Sequence, residues 1–71
     1  MFIKLTDEDD FVIIFNVLHI RKVVESNEGS VVMVIDGAYY KVKEKPDEVL
    51  KRIKTECYDL ISMIGKSIKI F

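Results

Sequence analysis

The groups in this chain that could do chemistry are few: one histidine, His19, one cysteine, Cys57, and a run of four acids, Asp7-Glu8-Asp9-Asp10. The acidic run invites a metal-ion reading. A calcium loop of EF-hand type needs alternating oxygen ligands, an internal glycine and a distal bidentate glutamate, and none stands at that spacing. Contiguous aspartates are also what a solvated turn is made of, because Asp is depleted in strands and hydrogen-bonds its own backbone in turns. The run is therefore read as a turn. His19 could act as a general base only with an oriented partner. Its context, Asn16-Val17-Leu18-His19, offers none, so a surface or packing role is expected. Cys57 falls in an apolar helical stripe, where a thiol serves as a small hydrophobe. A single cysteine makes no disulfide within the chain, and with one histidine it makes no structural zinc site. The three glycines, Gly29, Gly37 and Gly65, stand at turns or a helix end, not in a phosphate loop. No catalytic residue, metal or cofactor is expected, and the chain is read as a non-enzyme.

Binding is the better-supported class. Tyr39, Tyr40 and Lys41 cluster on one predicted strand, and with Arg21 they are candidates for a small anionic ligand held between subunits of an oligomer of phage type. Aromatics interleaved with bases also echo single-strand nucleic-acid platforms, and Lys43, Lys51, Arg52 and Lys54 would extend the patch. A net charge of −1 gives no general attraction to nucleic acid, which makes this the weaker alternative. Charge is unevenly spread. Residues 1–36 hold three bases against seven acids and residues 37–71 hold eight bases against five, a polarity that could steer subunits together.

The elements that must position these residues can be read along the chain. Seventy-one residues make a single domain, divided into a β-meander over 1–44, a helix over 46–64 and a tail over 67–71. Phe2 to Thr6 reads as a first strand, Phe11 to Phe15 as a second that is apolar on both faces, and Ile20 to Ser26 as a third. Asn27-Glu28-Gly29 is a turn, where Gly29 could take positive φ. Ser30 to Ile35 is a fourth strand without a polar face. Asp36-Gly37 suits a two-residue type I′ hairpin, followed by a fifth strand from Ala38 to Glu44. Pro46 fits the first turn of a helix, with Asp47 and Glu48 at its positive dipole end. Leu50, Ile53, Cys57, Leu60 and Ile64 recur at helical spacing, widened by Val49 and Ile61. Ser67 to Phe71 alternates like a short strand. The expected fold is α+β: an antiparallel β-meander of four or five strands, one C-terminal amphipathic helix and a short β-like tail.

A chain this small with 49% hydrophobic residues carries more apolar surface than one helix can cover, and burial in a homo-oligomer is the simplest resolution. Cys57, Leu60, Ile61, Ile64, Ile68, Ile70 and Phe71 are the candidate interface. The first ten residues lack a basic region and apolar stretch of a secretory signal. No apolar run approaches the roughly 20 residues that span a bilayer. A cytoplasmic location without membrane insertion is expected.

Several of these segments together resemble the FlbD family of small flagellar and swarming-motility proteins. The residues that carry the resemblance are Ile3-Lys4-Leu5-Thr6, Phe15-Asn16, Ile20 with Val23, Val31 with Val32, Asp36-Gly37, Tyr40, Val42-Lys43-Glu44 and Asp47-Glu48-Val49-Leu50. They span about residues 1–53. The first turn reads Asp9-Asp10 where members usually show Asn-Gly. The resemblance implies hairpins followed by a helix, and a non-enzymatic accessory protein acting through protein contacts; with the self-association expected from the apolar load, the chain is read as a homo-oligomeric adaptor with a protein partner.

Overall fold

Alternation of apolar and polar residues from Phe2 to Thr6 puts Ile3 and Leu5 on one face, and both are buried. This first strand (β1, Phe2–Thr6) pairs antiparallel with β2 (Val12–Asn16), with Ile3 opposite Phe15 and Leu5 opposite Ile13. A 3-10 turn over Val17–His19 follows, capped by the Asn16 side chain, which accepts from the Leu18 N–H at 3.0 Å. The chain then lays down β3 (Ile20–Ser26), β4 (Gly29–Val34) and β5 (Tyr39–Val42) as an antiparallel sheet in that order, and α1 runs from Pro46 to Ile64. The structure, a computed structural model, describes residues 1–64, with side chains through Glu56. The tail expected over 67–71 lies outside the described residues, as do the side chains of Cys57, Leu60, Ile61 and Ile64.

Among the described residues, five antiparallel strands and one helix make the α+β fold that the sequence implies, but the strands form two sheets, not one continuous meander. The break falls at the 3-10 turn. It swings β3 away from β2, so the expected run of neighbours stops there. The hairpin and the three-stranded sheet meet again through a single bridge, Asp7 to Val42, reinforced by the Lys43 N–H donating to the Thr6 carbonyl at 2.8 Å.

Both β1–β2 and β4–β5 turn by the same device. In each, a residue donates its N–H back to the carbonyl three residues earlier: Asp10 to Asp7 at 3.2 Å, and Gly37 to Val34 at 3.0 Å. In each, that residue has positive φ, +66° for Asp10 and +93° for Gly37. These are three-residue loops, a β-turn closed by one left-handed residue. The type I′ turn expected at Asp36-Gly37 is therefore not formed, because Asp36 keeps negative φ. Instead its carboxylate accepts from the Ala38 N–H at 2.9 Å, and β5 starts one residue later than the sequence suggests. Asp7 plays the same part in the first turn, accepting from the Asp9 and Phe11 N–H groups at 2.8 and 2.9 Å.

Gly29 does not have the positive φ expected of it. It is needed for space. A Cβ there would overlap the Val42 carbonyl oxygen and sit 2.8 and 2.9 Å from the Lys43 carbonyl carbon and Cα, so β4 and β5 could not approach as they do.

The core gathers Ile3, Leu5, Phe15, Val32, Val42 and Val49, with Ile13, Val17, Ile20, Val23, Val34 and Ile53 packed around it. The helix lies against β1 and β3. Its buried line runs through Val49 and Ile53, whereas Leu50, expected on the seam, is 49% exposed. Val49 and Leu50 stand about 100° apart on the helix, so of the expected stripe the Val49 side is the one that meets the core. No helix among the described residues is long and apolar enough to cross a membrane.

Candidate binding surfaces

Each hydrogen-bonding pair of a sheet leaves two edges to account for. On β1 the outer edge is occupied by side chains. The Glu44 carboxylate accepts from the Thr6 N–H at 2.9 and 3.1 Å and from the Thr6 hydroxyl at 2.9 Å. Arg52 donates to the Lys4 carbonyl at 2.6 Å and to Glu44 at 3.1 Å, and its Nε reaches Glu48 at 3.2 Å. Burial alone would raise the Glu44 pKa. The Thr6 N–H and hydroxyl, its own backbone N–H and the Arg52 charge outweigh burial, and hold the carboxyl below its ordinary 4.5. Thr6, Glu44 and Arg52 thus tie β1, the end of β5 and the helix together. Ser30, fully buried, donates to the Glu44 carbonyl at 2.7 Å. Sequence reasoning assigned Glu44 no role, and saw Arg52 only as part of a basic patch. Nothing local announces either contact.

The acidic turn sits beside β5. Asp10 pairs with Lys43 across it, and this contact raises the lysine pKa. Tyr39, Tyr40 and Lys41 line one shallow groove, but its other wall is Asp7, Glu8, Asp9 and Ile13. Three carboxylates would repel an anion from that groove, so it does not suit the small anionic ligand. Within it Tyr40 turns toward the core, edge-on to Phe15 at 5.5 Å between ring centres. Tyr39 and Lys41 face the other way. Arg21 is not part of the groove. It stands at an irregularity in β3, between Ile20 and Lys22. The structure thus brings three of the four candidate ligand residues together and leaves the fourth two strands away.

The outward face of the three-stranded sheet follows from register. Lys22 pairs with Met33 and Met33 with Tyr39, while Val24 pairs with Val31 and Val31 with Lys41. This face is an apolar stripe of Val24, Val31 and Met33, bordered by Tyr39 and the two lysines, with no acid in these pairs. The outward face of the hairpin is more apolar. Phe2, Val12 and Ile14 are 57%, 63% and 61% exposed there, and Phe11, just before β2 and of opposite alternation, is exposed as well. Both strands that looked apolar on two faces therefore send one face to solvent, fully on β2 and partly on β4.

The family model described as FlbD: Flagellar and Swarming motility proteins matches residues 2–61. That span holds all five strands, both three-residue loops, the Thr6–Glu44–Arg52 contacts and most of the helix. No curated protein and no solved structure matches the chain.

Proposed function

Because the chain belongs to the FlbD family of flagellar and swarming motility proteins, we propose that it serves motility as a non-catalytic adaptor, self-associating through one apolar face and docking a protein partner on another. The observation that carries this reading is the exposure of Phe2, Val12 and Ile14 on the outward face of the hairpin, beside a core of six buried apolar side chains among the described residues. Large apolar side chains gathered on one face mark a contact surface. The partner face is the stripe of Val24, Val31 and Met33 on the other sheet, whose border of Lys22 and Lys41 favours an acidic partner surface. His19 is solvent-exposed.

Genetics tests the motility role. Loss of the gene should impair swarming without slowing growth, and complementation by Val24→Glu with Met33→Glu should fail although the protein folds. Normal swarming without the gene would refute the role. Full rescue by the double variant would remove the proposed partner face.

A further inference from the structure

We propose that β2 pairs edge to edge and antiparallel with β2 of a second copy of this chain, about a twofold axis at Ile14. The proposal rests on the self-association reading and specifies its interface. In the β1–β2 ladder, Asp7 donates to the Phe11 carbonyl and Val17 to that of Met1. Antiparallel pairs alternate between bonded and non-bonded, so the register assigns Leu5 with Ile13 and Ile3 with Phe15 to the bonded set. The N–H and C=O of Val12 and Ile14, and the N–H of Asn16, therefore point away from β1. Among the described residues these five groups meet no partner. The edge borders a groove whose far wall is His19, Val34, Ile35, Asp36 and Tyr40, and no described element of the same chain hydrogen-bonds to it.

Every other long edge is defended. On β1, Glu44 and Arg52 hold the Thr6 N–H and the Lys4 carbonyl. On β3, an irregularity coincides with Arg21 and Lys22, and a bulge with charges is a common guard against edge pairing. β5 carries Lys41, is followed by Lys43, and meets the end of β1 at the Asp7–Val42 bridge. From Phe11 to Phe15, by contrast, there is no charge, proline or glycine, and the ladder runs without a register shift.

A second copy fits this edge because the edge is complementary to itself. With Ile14 opposite Ile14, each Ile14 N–H meets the other's carbonyl, and each Asn16 N–H meets the carbonyl of Val12. Four hydrogen bonds form without moving the strand. The outward side chains of Val12 and Ile14 then double into one apolar row across a four-stranded sheet.

Sedimentation equilibrium at micromolar concentration is the test, with Ile14→Lys and Ile14→Glu each checked for folding by circular dichroism. Ile14 is exposed in the single chain, so both variants should fold. The native chain should be a dimer, and each variant a monomer because like charges face across the axis. An equimolar mixture should regain the dimer, at least about tenfold tighter than either variant alone. Hydrogen exchange should show the Val12, Ile14 and Asn16 amides protected in the native chain and unprotected in the variants. A native monomer would overturn both this pairing and the self-association reading, and would leave the edge to a strand of another protein. Variants that stay dimeric, or a mixture that stays monomeric, would overturn the edge pairing alone.

Discussion

Replacing Glu44 by Gln keeps the shape of the side chain and removes its charge, which isolates what the carboxylate contributes. In the native chain it accepts from Thr6 twice and from Arg52 once, and its side chain is only 9% exposed. Hydrogen bonds to a charged group contribute about 1.5–3 kcal/mol each, against about 0.5–1.5 for neutral pairs. Glutamine can still accept from the Thr6 N–H, and the Thr6 hydroxyl can rotate to accept from the new amide. The Arg52 pair is lost, but Arg52 is 38% exposed, so solvent screening discounts that part. The net loss should be about 2 kcal/mol, a large share of the roughly 3–5 kcal/mol that a core of this size supplies. At about 4–8 °C per kcal/mol for a domain of this length, the melting temperature should fall by roughly 8–16 °C. The pH dependence gives a second readout. A carboxyl whose pKa is lowered on folding contributes fully above its unfolded value and loses that contribution as pH falls through the folded value. The native chain and the Gln variant should therefore differ most at neutral pH, and converge as pH drops below 4.5, the ordinary value of this group. Urea denaturation across that range measures both. Equal midpoints at neutral pH, or a gap that stays constant into acid, would refute the edge-holding role.

Four further outcomes follow from the same geometry. Asp10→Gly should raise stability by up to about 1 kcal/mol in urea titration, since glycine takes the left-handed conformation without a Cβ penalty and the exposed Lys43 pair is worth little. A clear loss of stability would show that the Lys43 contact matters more than the turn strain. Gly29→Ala should destabilise by about 1–3 kcal/mol or more, because its Cβ meets backbone that cannot yield cheaply. An unchanged midpoint would show that β4 and β5 can part there. On the helix, Val49→Ala should lower the denaturation midpoint markedly while Leu50→Ala should stay within about 0.5 kcal/mol. The reverse order would place the buried stripe where its spacing alone had put it.

Much of this fold was legible because alternation and turn residues are local signals. Ile3 and Leu5 alternate with polar neighbours and are buried. Asp36-Gly37 marks a hairpin, and Pro46 opens a helix at the expected place. What local pattern misplaced was finer. Leu50 and Val49 are adjacent in an apolar stripe wide enough to admit either, and only packing against β1 and β3 chose Val49. Gly29 looked like a turn glycine, since no local feature says that Val42 will come within contact of it from thirteen residues away. The surroundings of the candidate ligand cluster were hidden for the same reason: the sequence groups Arg21 with Tyr39, Tyr40 and Lys41 by type, while the hairpin turn brings Asp7, Glu8 and Asp9 to the two tyrosines and Lys41 in space.

The edges of the sheets were the least legible feature, and the cause is physical. A strand's faces are written in its side chains, but its edges are backbone, and every residue other than proline offers the same N–H and C=O. Whether an edge is open depends on what reaches it from elsewhere. Glu44 covers the Thr6 N–H from 38 residues away and Arg52 covers the Lys4 carbonyl from 48. Those two side chains make β1 an interior-like strand although its only full neighbour is β2. The consequence for β2 is asymmetric. It shares a hairpin with β1 and an equally apolar inward face, yet nothing described reaches its far side. Two strands that read alike thus end in opposite states, one edge satisfied within the chain and the other left to be satisfied between chains. Weakening the β1 edge contacts with Glu44→Gln should leave assembly through β2 intact, and Ile14→Lys should break assembly without lowering the stability of the single chain. Joint loss of both properties in either variant would mean that the two edges are coupled, and that the hairpin cannot hold one without the other.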